Sequence, residues 1–152
     1  MRNKCKVAVV CSAGGHLREI MQLKKAFEKY EYFFVTDLRE DSKILAEKER
    51  VLFVECPRRN LFKLLKNFVQ ALLIYLRERP RIVLSTGADT AIPFCLIAKL
   101  FGSKVIFIES FCRIKEPSLS GKIMYRFADV FFVQWKENKK FFPKARFAGS
   151  VF

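Results

Sequence analysis

Lys6-Val7-Ala8-Val9-Val10-Cys11-Ser12-Ala13-Gly14-Gly15-His16-Leu17 decides how this chain folds. Its first half is a continuous apolar run, which predicts a strand from Lys6 to Val10 covered on both faces. Its second half is two glycines and the chain's only histidine, followed at once by helical spacing. A turn built from residues without a Cβ lets a ligand approach the backbone and leaves the first N–H groups of the helix free to meet an anion. The stretch reads as a phosphate-type loop, with a tight turn serving packing alone as the other reading.

Working outward, the same alternation continues to the C-terminus. Apolar runs at Val7 to Cys11, Tyr32 to Thr36, Val51 to Glu55, Ile82 to Thr86, Val105 to Ile108 and Val130 to Gln134 predict strands of a parallel sheet. Helical spacing fills the gaps at Leu17 to Lys29, Ser42 to Lys48, Leu61 to Arg79, Ala91 to Phe101, Ser118 to Phe127 and Lys136 to Phe142. Gly102 and Pro80 stand where helices should stop. With no repeat or linker, residues 1–152 read as one doubly wound α/β domain. Ligands in such sheets sit beyond the carboxyl ends of the strands. That rule selects Ser12 to His16, Thr36-Asp37, Cys56 to Asn60, Ser85 to Thr90, Glu109 to Lys115 and Gln134 to Lys136.

Two of these rim loops share one form, strand, small residues, helix: Ser12-Ala13-Gly14-Gly15-His16 and Ser85-Thr86-Gly87-Ala88-Asp89-Thr90. Together they suit a diphosphate, with Ser12, Gly14, Gly15, His16, Ser85, Thr86 and Gly87 as its expected contacts. His16 can donate to a phosphate or exchange a proton near neutral pH; capping or packing is its plainer role. Glu109 ends an apolar strand and can accept a proton from a sugar hydroxyl, or form an ion pair with Arg113 or Lys115. Asp89 reads as the cap of the helix that follows Gly87. The spacing of Gly14-Gly15 is not that of a dinucleotide fingerprint, although Asp37 lies near the place of its acid, and no P-loop ending is present.

The chain carries 29 Lys and Arg against 15 Asp and Glu, a formal charge of +14, which favours anionic partners. Hydrophobic residues make up 51% and Phe occurs 17 times, more apolar surface than one small core needs. Five cysteines, with no Cys-x-x-Cys, read as reduced thiols rather than a disulfide or zinc framework, and no metal or cofactor is implied. The early first strand leaves no room for a signal peptide, and uncharged runs of about ten residues are too short to span a bilayer. The helix from Leu61 holds Leu61, Leu64, Leu65, Phe68, Leu72, Leu73 and Leu76 at helical spacing, widened by Phe62, Val69 and Tyr75 and flanked by Arg58, Arg59, Lys63, Lys66, Arg77, Arg79 and Arg81. Either one face packs on the sheet behind a solvated basic back, or the helix rests on an anionic membrane surface with Phe62, Leu65 and Phe68 dipping in. In the second reading Phe94, Ile97 and Phe101 join it.

The ordered set Cys11 to Leu17, Ser85-Thr86-Gly87-Ala88, Ile92-Pro93, Phe107-Ile108-Glu109-Ser110, Pro117 to Lys122, Val133-Gln134-Trp135 and Gly149-Ser150-Val151-Phe152 resembles the oligosaccharide-biosynthesis family typified by asparagine-linked glycosylation protein 14. It is most similar to the bacterial capsule and exopolysaccharide branch, whose members are called enhancers of a β-1,4-glycosyltransferase. The match runs to Phe152, so a complete chain is expected. The resemblance implies a Rossmann-like fold equivalent to the N-terminal half of a GT-B glycosyltransferase. It also implies an accessory subunit that presents a lipid-diphosphate-linked saccharide acceptor while a catalytic glycosyltransferase subunit binds the nucleotide sugar. The related peptidoglycan N-acetylglucosaminyltransferase has Gly-Gly-Thr-Gly-Gly-His in the corresponding loop; Gly14, Gly15 and His16 match it, and Ser12-Ala13 replace part of it. Glu109 falls where that family has an acid at a strand end, which implies a base. Eukaryotic relatives begin with a membrane anchor, so peripheral attachment at the cytoplasmic face of the cell membrane would substitute for it here.

Two rivals follow from the residues alone. A self-sufficient nucleotide-sugar enzyme needs a donor pocket within this chain, and no second Rossmann unit is evident. A nucleic-acid-binding protein would explain the charge, but the cations are spread along the chain with no recognised module, so no specific nucleic-acid partner is expected. Phe141, Phe142, Phe147 and Phe152 are expected to face the partner subunit.

Overall fold

A computed structural model describes residues 5–152. The chain runs β1 (Lys6–Cys11), α1 (Gly15–Met21), α2 (Lys24–Phe27), β2 (Glu31–Thr36), α3 (Glu40–Ala46), β3 (Val51–Phe53), α4 (Leu61–Glu78), β4 (Ile82–Gly87), α5 (Ile92–Leu100), β5 (Lys104–Ile108), α6 (Leu119–Met124), β6 (Val130–Val133), a 3₁₀ turn (Lys136–Lys140) and β7 (Arg146–Phe147). All strands join one parallel sheet in the order β3-β2-β1-β4-β5-β6-β7.

Alternation along each strand divides the core in two. Ala8, Val10, Phe33, Val35, Val83, Val105 and Phe107 face Ala71 and Tyr75 of α4, Phe94 and Ala98 of α5, and Met124 of α6. Val7, Val9, Cys11, Phe34 and Leu84 face Leu17, Ile20 and Phe27 of α1 and α2. The strand order reverses direction between β1 and β4, and there a crevice opens at the strands' carboxyl ends.

The register also shifts at that point. Val10 pairs with Ser85 but Cys11 pairs with Gly87, so Thr86 is an extra residue on β4. Such a bulge bends its strand and re-aims the backbone groups beside it.

Several expectations are corrected. The single helix from Leu17 to Lys29 is two, because the amides of Gln22 and Leu23 bond back three residues, to Glu19 and Ile20, and tighten the chain. The last helix is a 3₁₀ turn, and β7 is a strand that the apolar pattern does not predict. Phe94, Ile97 and Phe142 are core residues rather than membrane or partner contacts, packed in the face that carries α4 to α6. All five cysteines are free, with Cys11 and Cys95 buried and Cys112 exposed.

On α4 the line turned inward is Asn67, Ala71, Tyr75 and Glu78, not the leucine stripe. Asn67 Nδ2 donates to the carbonyls of Glu55 at 2.6 Å and Thr90 at 3.2 Å, and Tyr75 shares a hydrogen bond with Ser103 at 2.9 Å. Hydrogen bonding through Asn67 Nδ2 and the Tyr75 hydroxyl offsets the cost of burying these side chains, while Asn67 Oδ1 has no partner among the described residues. The stripe consequently faces outward: Leu61 is 77% exposed, Phe62 83%, Leu65 63% and Leu73 62%, while Phe68 lies half-buried against the core. Among the described residues no helix is long and apolar enough to cross a membrane.

Candidate functional site at the strand crossover

His16, in the first turn of α1, reaches across the crevice. Its Nδ1 lies 2.8 Å from the carbonyl oxygen of Thr86, and the Thr86 hydroxyl donates back to the His16 carbonyl at 2.9 Å. The bulge in β4 is what presents Thr86 to this reciprocal clasp. A neutral imidazole bonded to a carbonyl through Nδ1 must carry its proton there, which leaves the Nε2 lone pair on the opposite side of the ring.

The ring lines a cavity of about 510 Å³ formed by Gly15 and His16, Arg59, the β4–α5 loop at Ala88 and Asp89, and the segment from Ser110 to Ser120. Three cationic or ionisable donors, His16, Arg59 and Arg113, thus meet around one space, with Asp89 as the only carboxylate on its wall. Arg59 stands in a left-handed backbone conformation with φ 60, next to Arg58 with φ 45. Asp89 holds this turn by accepting from the Arg58 amide at 3.0 Å. It therefore does not cap a helix as its position suggests; α5 begins three residues on, at Ile92.

Of the residues expected to meet a diphosphate, only Gly15 and His16 line the cavity. The amides of Ala13 and Gly14 are already taken, by Asp37 Oδ1 at 2.9 Å and Asp41 Oδ2 at 2.6 Å. The protein's own carboxylates occupy the place an anion would take at this turn, and Asp37 is spent on Ala13 and Arg39 instead of a ribose. Its carboxylate raises the affinity of the Arg39 guanidinium for its proton. Ser12, Ser85 and Thr86 are buried, and the Ser85 hydroxyl accepts from the Gly87 amide at 3.0 Å. Gly87 is needed for packing: its φ is +99 and a Cβ would lie 2.9 Å from the Phe107 ring. Burial, reinforced by Asp37, Asp41 and Glu19, pushes the Cys11 thiol far up, and burial pushes Cys95 up to about 12, so neither is a nucleophile.

Glu109 is 1% exposed and faces inward rather than toward Arg113 or Lys115. Its carboxylate accepts from the Ser110 amide at 2.9 Å, the Ser118 amide at 3.2 Å and the Ser118 hydroxyl at 2.7 Å. Ser118 in turn caps α6 by accepting from the Gly121 amide at 2.8 Å. Glu109 so positions two serines of the cavity wall instead of facing the cavity itself.

Glu19, which sequence reasoning missed, and Gln134, which it placed on the rim after β6, complete the site. Glu19, 3% exposed, accepts from the Phe111 amide and from Gln134 Nε2 at 2.9 Å, and its other oxygen lies 3.5 Å from His16 Nδ1. Gln134 also donates to the Glu109 carbonyl at 3.0 Å and accepts from the Val151 amide at 3.0 Å. This buried network ties α1, the loop after β5, the end of β6 and the C-terminal residues to the histidine.

The chain matches the family described as "Oligosaccharide biosynthesis protein Alg14 like" over residues 7–151. The human protein named UDP-N-acetylglucosamine transferase subunit ALG14 is 29% identical over 182 residues, spanning 99% of this chain and 84% of its own length. The rat protein of the same name is 41% identical over 81 residues, which cover 49% of this chain. Among solved structures, Acinetobacter baumannii MurG is similar with a TM-score of 0.76 at 17% identity over 95% of this chain. The UDP-N-acetylglucosamine 2-epimerase of Rickettsia bellii gives 0.79 at 14% identity over 98%. The chain spans 45% and 46% of those two structures, so the shared feature is one Rossmann-like α/β unit of a longer protein. By its sequence match over residues 7–151, this chain belongs to the Alg14-like family of oligosaccharide biosynthesis proteins.

Proposed function

We propose that this chain is the accessory subunit of a two-component glycosyltransferase and presents a lipid-diphosphate-linked saccharide to a partner that binds the nucleotide sugar. Capsule or exopolysaccharide synthesis at the cytoplasmic face of the cell membrane is the setting we assign to it. The observation that carries the reading is the open cavity at the β1–β4 crossover, where His16, Arg59 and Arg113 converge while the neighbouring glycine turn is closed by Asp37 and Asp41. Guanidinium groups converging on one open space suit the diphosphate of an acceptor.

Arg59 and Arg113 pair with the diphosphate, and His16 sits at the reacting end. Held in the Nδ1–H form by Thr86, the neutral ring offers Nε2 to the attacking sugar hydroxyl and lowers the cost of its deprotonation as the partner delivers the donor. Glu109 keeps Ser110 and Ser118 in place and does not itself touch the sugar. The outward stripe of α4 lies on the membrane, with Arg58, Lys63 and Lys66 toward headgroups; Lys63 and Lys66 also share Glu55, at 3.6 and 2.8 Å. Charge adds to apolar insertion in such contacts, so binding should rise with anionic lipid. Transferase assays on the purified chain, with and without a co-expressed partner, test the assignment. Turnover should appear only with the partner, and robust turnover by the chain alone overturns the assignment.

A further inference from the structure

At the end of α4 remote from the crevice, where the chain leaves the helix and enters β4, a second cavity of about 560 Å³ opens against the Gly102–Lys104 turn. Its charged lining is Arg79, Arg81 and Lys104, with no carboxylate. Arg79 and Arg81 form no ion pair among the described residues, and Lys104 has only a 3.4 Å pairing with Asp129, which Lys99 approaches to 2.7 Å. Below them the Tyr75 and Ser103 hydroxyls share a hydrogen bond of 2.9 Å and the Ser103 hydroxyl donates to the Pro80 carbonyl at 2.6 Å, so the cavity floor is fixed.

The backbone adds a second observation. Arg79 ends α4 in a left-handed conformation with φ 47, a place where glycine is the usual occupant. Its Nε donates to the Leu76 carbonyl at 3.2 Å, which holds the guanidinium at the edge of the cavity. The mouth carries a third: Leu76, 44% exposed, and Phe101, 52% exposed, border it and continue the outward stripe of α4.

We propose that this cavity binds the phosphate of an anionic lipid headgroup, with the Arg79 and Arg81 guanidiniums on its oxygens and the lipid chains leaving past Leu76 and Phe101. The planar guanidinium fork matches phosphate oxygens in pairs, and the volume falls within the range of about 300–1,000 Å³ typical of small-ligand sites. A free phosphate ester presents the same anion, but the apolar rim assigns the membrane as its source. The inference rests on the membrane-surface reading of α4 and makes it specific, since a discrete headgroup site distinguishes between cations that a diffuse field treats alike.

Arg79→Asn/Arg81→Gln is compared with Lys139→Gln/Lys140→Gln, which removes equal charge after β6. On vesicles of phosphatidylcholine with phosphatidylglycerol, the first variant should lose partitioning on the order of tenfold more than the second. Glycerophosphoglycerol in solution should shift the amide resonances of Ser103 and Lys104 in the wild type and not in the first variant. Equal losses in both variants, or headgroup shifts that survive the arginine changes, overturn the site. Headgroup shifts without vesicle binding would assign the cavity to a soluble phosphate ester and overturn its lipid source. Should the wild type bind no vesicle of any composition, the membrane reading of α4 fails separately, and the amide titration still decides whether the cavity takes the anion.

Discussion

The single histidine is held by atoms that are not its own. Thr86 fixes which ring nitrogen holds the proton, and Glu19, 3.5 Å behind, offers a counter-charge if the ring gains a second one. His16→Ala should therefore lower turnover of the reconstituted pair by about a hundredfold, the usual scale for a positioned acid or base. Stability should fall by only about 1 kcal/mol for the lost hydrogen bond, as read by thermal unfolding. Gly121 shows the opposite balance. A Cβ there would run into the Glu109 carboxylate, inside the packed start of α6. Gly121→Ala should cost about 3 kcal/mol in denaturant titration, because the displaced carboxylate also releases Ser110 and Ser118.

At the scale of elements, α4 is exposed where it is most apolar. Leu65→Asp/Leu73→Asp changes two side chains that are 63% and 62% exposed, so folding stability should move by less than about 1 kcal/mol while vesicle sedimentation is lost. Unchanged sedimentation would return the stripe to a protein partner. The end of the same helix is held by Glu78, to which Arg50 donates at 2.6 Å and Lys6 at 3.4 Å. Burial alone would raise its pKa, but these cations outweigh burial and hold it below the ordinary carboxylate value. A lowered folded-state pKa gives stability that is present above the unfolded value and lost as pH falls through the folded one. Glu78→Gln should accordingly cost about 1–3 kcal/mol at pH near 7, and the gap to wild type should close below pH about 4. Asp129, held low by Lys99 and the Val105 amide against its burial, adds to the same acid loss.

Across the whole molecule, what could be read in advance was what depends on neighbours in sequence. Continuous apolar runs made the buried strands plain, whereas Arg146–Phe147 is two exposed residues that become a strand only because Val133 offers an edge. Apolar spacing alone left open whether the leucine stripe of α4 packs on the sheet or faces outward; hydrogen bonds to Glu55, Thr90 and Ser103, which let Asn67 and Tyr75 go inside, turn it outward. The glycine–histidine turn was legible, and its closure by Asp37 and Asp41 was not. Gln134 meets Glu19 across 115 residues, a contact that exists only after β1 and β6 take their places on either side of β4 and β5.

The division of labour between two chains rests on which ligand the crossover cavity takes. Because His16 is the only histidine, its ring resonances report that cavity without ambiguity. The direct measurement is an NMR titration of the isolated chain with a short-chain prenyl diphosphate sugar and, separately, with UDP-sugars. The lipid diphosphate should shift the His16 resonances, and UDP-sugars should leave them in place. A UDP-sugar that moves them while the lipid diphosphate does not would contradict that division and make this chain the donor-binding partner.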